Sequence, residues 1–261
     1  MRLRGRVKRK KVKGVYLLPN ILTSVSLFFG FYSLVSTLNG QLTLAAWTII
    51  LAVLFDNLDG RMARATRSSS RFGLEYDSLA DLVSFGVAPV ILLYVWALKP
   101  FGKLGWLAAF LYLSSAALRL ARFNVQLETV ESKKFSGLPS PAAGCVVATL
   151  FLFYTSMGRG EPVHSAAILV LVFLLAFLMV SNVKYRSFKE ANLLKRHPFS
   201  TLFTLVVLLV MVAAEPILFL FSLFFLYLVS GPVELCVSLG RRLVRKGKPR
   251  PIEDVSGTSG V

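Results

Sequence analysis

The sequence predicts an all-α fold, a polytopic membrane bundle of about eight transmembrane helices. Three observations predict it. The chain of 261 residues is 55% hydrophobic with a mean hydropathy of +0.66, too apolar for an ordinary soluble domain. Apolar runs of roughly membrane-crossing length recur from residue 17 to residue 239. With eight spans, 27 of the 30 Lys and Arg fall on one side and only Lys99, Lys103 and Arg159 on the other. A soluble helical bundle would need polar stripes that most of these segments lack.

The elements follow in order. The first thirteen residues, MRLRGRVKRKKVK, hold eight basic and no acidic side chains. They read as a topology signal and as a segment lying on anionic lipid headgroups, where each charge contributes roughly 1 kcal/mol. A cleaved signal peptide does not fit, because the apolar run after Val15 is too long and no A-x-A site closes it. Spans are expected at 17–38, 42–65, 73–97, 104–127, 141–158, 163–183, 199–213 and 215–239. Pro19-Asn20 opens the first, and Asn39-Gly40 turns it into the second. Pro89 lies inside the third and is expected to kink it, as Pro232 is in the eighth. Gly137-Leu138-Pro139-Ser140-Pro141 introduces the fifth, and only Glu215-Pro216 divides the last two. The expected organisation is a basic membrane-surface segment (1–16), a membrane domain (17–240) and a basic, then polar, tail (241–261).

The charge distribution bears on partners and placement. A net charge of +17 suits nucleic acid, but its confinement to alternate loops argues for a membrane protein with both termini in the cytoplasm. No nucleic-acid partner is expected. Cys145 and Cys236 are isolated, as are His164 and His197, so neither a disulfide framework nor a Cys/His metal site is expected.

Residues 56 to 81, DNLDGRMARATRSSSRFGLEYDSLAD, carry the chemistry. They contain four of the five aspartates, in the spacing D-x2-D-G-x2-A-R-x8-G-x3-D-x3-D. On helices, Asp56 and Asp59 stand at i, i+3 and Asp77 and Asp81 at i, i+4, so each pair lies on one face. A hairpin of spans two and three would bring the four together just inside the cytoplasmic interface. Such an all-oxygen cage suits Mg²⁺ or Mn²⁺ rather than Zn²⁺. Gly60, Ala63 and Gly73 let a phosphate-bearing ligand approach closely, and Arg64 supplies a fixed charge for phosphate. Two divalent cations there would clamp a diphosphate, and a carboxylate not saturated by metal could take a proton from an attacking hydroxyl. The expected reaction is displacement at phosphorus, with a nucleotide leaving and an alcohol attacking. A structural network in which Arg61, Arg64, Arg67 and Arg71 neutralise the acids is the bland alternative.

The stretch resembles the signature of the CDP-alcohol phosphatidyltransferase family, with every signature position present. The resemblance implies a six-helix catalytic core, two metal ions, a CDP-linked lipid donor and a homodimer. It implies that Asp56, Asp59, Asp77 and Asp81 bind metal, that Asp81 is also the general base, and that Asn20, Thr23, Asp59, Gly60, Ala63, Arg64, Ser70 and Gly73 line the CDP site. Further segments resemble the branch of that family whose acceptor is L-serine. They are Leu18 to Thr23, Asp77 to Pro89, Arg119 to Val125, Phe135 to Ala143 and Val180 to Tyr185. The reaction implied is CDP-diacylglycerol plus L-serine giving phosphatidylserine and CMP. Serine carries a carboxylate, so its pocket needs cations or donors. Arg119, Arg122, Asn124, Lys184 and Tyr185 are the candidates, with Ser84, one turn beyond Asp81, as a further one. Two other readings stay open. A sister enzyme would use glycerol phosphate or inositol phosphate. A cation transporter would place its acids near the bilayer midplane rather than at one end.

Overall fold

The computed structural model describes residues 17–66, 70–128, 137–158, 165–183, 185 and 198–246. The basic head, Lys184 and the end of the tail lie outside these residues. The regular structure among the described residues is helical: α1 (Leu17–Leu38), α2 (Leu42–Thr66), α3 (Arg71–Phe101), α4 (Lys103–Glu128), α5 (Ser140–Ser156), α6 (Ala166–Val180), α7 (Pro198–Ala214) and α8 (Pro216–Lys246). Five helices (α1 to α4, and α8 over Pro216–Glu234) are long and apolar enough to cross a membrane, and α5 and α6 are shorter apolar helices. The protein is thus an all-α integral membrane bundle.

The small residues explain how α1 and α2 pack. The turn at Asn39 and Gly40, where Gly40 takes φ +76°, lets α2 fold back along α1. Gly30, Ala45, Ala46 and Ala52 keep the interface thin. Two α1 hydroxyls then reach α2 carbonyls: Ser26 Oγ donates to Ala52 O at 3.0 Å and Ser33 Oγ to Ala45 O at 2.9 Å. In a bilayer, where apolar burial between helices adds little, such contacts are each worth about 0.6 kcal/mol and fix the register.

Helix α3 is central. Half of its apolar window is buried, against a third for α1, α2 and α4, and it packs on α1, α2, α4, α5 and α6. Helix α8 packs on α5, and α7 on α8, outside the six-helix core. Large side chains such as Phe28, Phe110, Phe177 and Leu226 point outward, as a lipid-facing surface requires.

The expected kink at Pro89 takes another form. Residues Leu82–Val87 are π-helical, and the Ala88 N–H returns to the Val83 carbonyl, five residues back. The widened turn absorbs the proline that follows. Tyr112 Oη on α4 donates to the Phe85 carbonyl at 3.2 Å within this segment. The eighth helix also departs from expectation. It runs to Lys246, six residues beyond the expected boundary at 240, with Pro232 inside it. Its basic last turns, Arg241 to Lys246, continue the helix rather than starting the tail.

Gly30 marks the closest approach of α1 to α3. A Cβ there would lie 2.6 Å from Ser84 Cα, backbone that can yield only if the helices part. Gly30→Ala is expected to destabilise the protein by about 1–3 kcal/mol, read as a lower thermal unfolding midpoint in detergent. An unchanged midpoint would refute this packing.

Candidate metal and nucleotide site

Helix α2 carries Asp56 and Asp59 in its last three turns, and α3 carries Asp77 and Asp81 in its first three. Ser70 caps α3, accepting the Gly73 N–H at 3.0 Å, which sets where that helix begins. One oxygen each from Asp56, Asp59 and Asp77 lies within 4.8 Å of the others. Asp81 is not one of the three, and its side chain hydrogen-bonds to that of Asp56 instead. Two carboxylates adopt that contact only with a shared proton or a shared cation.

The three acids fit a divalent cation. Asp77 Oδ1 is buried without a hydrogen-bond partner, an arrangement that is costly unless a cation answers it. Asp59, 5% exposed, accepts a hydrogen bond at its Oδ2 from Thr23 Oγ1 at 2.8 Å. That bond orients the carboxylate, as the partners of metal-binding groups do. All three donors are hard oxygens, which suits Mg²⁺ or Mn²⁺.

Beside the acids opens a cleft of about 520 Å³. Asn20, Thr23, Asp59, Gly60, Ala63, Arg64, Ser70 and Gly73, the set that the family resemblance implied, all line it. The glycines set its shape. A methyl on Gly73 would lie 3.1 Å from both Asn20 Oδ1 and Ser70 Oγ, so α1 and the start of α3 meet because Gly73 has no side chain. A methyl on Gly60 would lie 3.5 Å from Arg64 Nη1, so the guanidinium folds back over the glycine. Across the same seam Ser24 Oγ and Tyr76 Oη are 2.8 Å apart. Phe123 also lines the cleft, and its position gave no sign of this beforehand.

Phe123 is shared with a second hollow, of about 40 Å³, lined by Arg119, Arg122, Gln126, Met179 and Val180 among others. Three separate segments meet here. Gly137, at φ +88°, gives its N–H to the Val183 carbonyl at 2.8 Å, and Leu138 gives its own to Leu178 at 2.9 Å. A Cβ on Gly137 would lie 3.1 Å from Arg119 Nη1. Arg122 Nη2 donates to Asn182 Oδ1 at 2.6 Å.

The remaining candidates divide. Asn124 uses both ends of its amide on α3: Ser78 Oγ donates to its Oδ1 at 3.0 Å, and its Nδ2 donates to Glu75 Oε2 at 3.1 Å. Tyr185 is buried, with its Oη donating to the Leu228 carbonyl at 3.3 Å. Ser84 does not join them. It is fully buried between α1 and α3, and its hydroxyl donates to the Ser26 carbonyl at 3.2 Å. The π turn that begins at Leu82 carries it off the face of Asp81. Lys184 lies outside the described residues.

Residues 16–180 match the family model for CDP-alcohol phosphatidyltransferase. The chain is 34% identical over 238 residues to a protein of Helicobacter pylori named CDP-diacylglycerol–serine O-phosphatidyltransferase, covering 91% of this chain and 98% of that one. An archaetidylserine synthase of Methanothermobacter thermautotrophicus is 37% identical over 180 residues, 67% of this chain and 72% of its own. A Saccharomyces cerevisiae protein with the same name as the Helicobacter one is 34% identical over 200 residues, 71% of this chain and 64% of its own.

Proposed function

The chain belongs to the CDP-alcohol phosphatidyltransferase family, and we infer that it transfers the phosphatidyl group from CDP-diacylglycerol to the hydroxyl of L-serine, giving phosphatidylserine and CMP. The observation that carries the choice of serine is the meeting of the loop at Gly137-Leu138, the stretch Leu178 to Val183 and Arg119 in one place, with Phe123 shared between that hollow and the cleft that Asp59 and Asp77 line. These segments, and not the aspartate signature, are what the serine branch adds. End-to-end similarity to relatives named for serine agrees with it.

The residues then divide the work. Asp56, Asp59 and Asp77, with Asp81 at their edge, would hold two divalent cations, Mg²⁺ or Mn²⁺. Bound there, such cations would clamp the donor diphosphate and offset the charge that develops on departing CMP. Asn20, Thr23, Ser70 and Gly73 receive the nucleotide side of the donor. Gly60 and Ala63 leave room for the diphosphate, and Arg64 meets it. Asp81 takes the proton of the serine hydroxyl as that oxygen bonds to phosphorus and the bond to the CMP oxygen breaks. Arg119 and Arg122 meet the serine carboxylate, with Lys184 and Tyr185 following shortly after Asn182, the residue that Arg122 holds. Asn124 serves by tying α4 to Ser78 and Glu75.

The 27-to-3 division of Lys and Arg supports placing both termini and this site on the cytoplasmic side. The basic head then lies on anionic lipids, and the lipid-facing surface offers room for a second copy in a homodimer.

Purified protein with Mn²⁺ is expected to release CMP from CDP-diacylglycerol with L-serine, and much less with glycerol 3-phosphate or inositol phosphate. EDTA is expected to abolish release, and Mn²⁺ or Mg²⁺ to restore it. Preference for a phosphorylated alcohol would overturn the acceptor assignment. Full turnover in chelator would overturn the metal reading.

A further inference from the structure

The chain leaves α6 at Val180 and turns extended at Ser181, with φ −62° and ψ 159°. This stretch holds Arg122 of α4. Asn182 Oδ1 accepts from Arg122 Nη2 at 2.6 Å, and the Val180 carbonyl accepts from Nη1 at 3.5 Å. Arg122 is exposed, and an unheld side chain of that length would sample many rotamers. An amide oxygen orients a guanidinium without cancelling its charge, which a carboxylate would do. The charge then remains available to a bound anion.

Asn182 lies past the end of α6, so helical hydrogen bonding does not hold it in place. The residues after it do. Asn182 is exposed, whereas Val183 and Tyr185 are buried. The Val183 carbonyl accepts the Gly137 N–H at 2.8 Å. Tyr185 is seated on α8. Its Oη donates to the Leu228 carbonyl at 3.3 Å, and its ring centroid is 5.3 Å from that of Tyr227, with the planes tilted by 40°. A Cβ on Gly231 would strike its ring. Tyr227 and Gly231 stand at i, i+4, so both belong to one face of α8. A glycine inside a helix costs about 0.5–1 kcal/mol against alanine. Here it opens the notch that admits the ring. Nearer its start, α8 is fixed to the core by Phe221, which stacks on Phe153 of α5 with centroids 4.5 Å apart.

We propose that Tyr185 is a positioning residue for the acceptor: seated in the notch at Gly231, it anchors the stretch that holds Arg122 ready for the carboxylate of an amino-acid acceptor. The inference rests on the reading of Arg122 as an acceptor contact. It makes Tyr185 a support of the pocket rather than part of its wall. It also gives α8, outside the six-helix core and past residue 180 where the family match ends, a part in acceptor choice.

The test compares Tyr185→Leu, Tyr185→Phe, Gly231→Ala and Arg122→Gln with the unaltered protein, by CMP release in detergent with saturating Mn²⁺. The KM for L-serine and the KM for CDP-diacylglycerol are read for each. Tyr185→Leu empties the notch and Gly231→Ala closes it. Each is expected to raise the serine KM about tenfold, the size of a lost hydrogen bond to a charged group, with the donor KM within about twofold. Gly231 has no side chain with which to touch an acceptor, so its effect can only pass through the ring. Tyr185→Phe keeps the ring and is expected to hold the serine KM within about threefold. A serine KM within about twofold in either Tyr185→Leu or Gly231→Ala, or both KM values rising together, overturns the proposal. So does a Tyr185→Phe effect as large as that of Tyr185→Leu, which would make the hydroxyl a direct substrate contact. If Tyr185→Leu does not fold, Gly231→Ala and Tyr185→Phe decide by the same criteria. If Arg122→Gln raises the serine KM or abolishes turnover while the notch variants leave it unmoved, only the role of Tyr185 falls. If Arg122→Gln leaves it unmoved, the acceptor reading of Arg122 falls, and the proposal with it.

Discussion

Asp59→Asn is expected to reduce turnover by at least about 10²-fold and to weaken Mn²⁺ and CDP-diacylglycerol binding together. The geometry explains why an isosteric change costs so much. Thr23 Oγ1 donates to Asp59 Oδ2, so an asparagine would offer its carbonyl oxygen to Thr23. Its amide N–H would then point toward Asp56 and Asp77, whose oxygens lie within 4.8 Å. A donor would replace an acceptor at the one place where cations need oxygen. Thr23→Ala is the milder companion. It leaves the carboxylate but frees its orientation, and losing such a partner typically costs 10–100-fold in metal affinity. Calorimetric titration of Mn²⁺ into both variants checks this. Unchanged metal affinity in Asp59→Asn would remove Asp59 from the ligand set.

Asp81→Asn is expected to behave differently. Turnover should fall by about 10²–10⁴-fold, the usual contribution of a general base. Donor affinity should fall far less than in Asp59→Asn. An asparagine at 81 can still donate to Asp56, which Asp81 touches, so the contact between the two survives the change. The three-carboxylate group does not include residue 81 and should keep its hold on metal. Donor binding by calorimetry, measured beside CMP release at saturating Mn²⁺, separates the two effects. If Asp81→Asn loses donor binding as completely as Asp59→Asn does, Asp81 is mainly a ligand and the proton has another acceptor.

Legibility in the sequence followed the range of the interactions. Helix limits depend on local pattern, and the residues of the cleft beside the acids were expected from the family resemblance. The first span was expected at 17–38 and is found at Leu17–Leu38, because Pro19 and the turn at Asn39-Gly40 punctuate it chemically. The eight cleft residues come from α1, the hairpin of α2 and α3, and the cap at Ser70, all within one short stretch of chain. Ser84 was misplaced because i, i+3 arithmetic assumes an α-turn, and the turn after Asp81 is wider. Tyr227 gave no signal. It sits in an apolar run, and its meeting with Tyr185 crosses more than forty residues of chain. Asn124 was picked out with its motif, but its partners Ser78 and Glu75 are visible only once α3 and α4 are packed.

The wide turn at Leu82–Val87 has a consequence for how this helix can vary. A π turn is an α-helix holding one residue more than its hydrogen bonds need. Each α-helical residue advances the azimuth by about 100°. The extra residue therefore sets a phase offset between the lower part of α3, which presents aspartates to α2, and the upper part, which buries Ala88, Leu92 and Trp96. The two halves share one axis but not one rotational frame. Deleting a single residue there would return Leu82–Val87 to the α-helical register and turn the acids away from their partners while leaving the apolar half seated. A chain can thus alter what its membrane-buried half packs against without redirecting its chemistry.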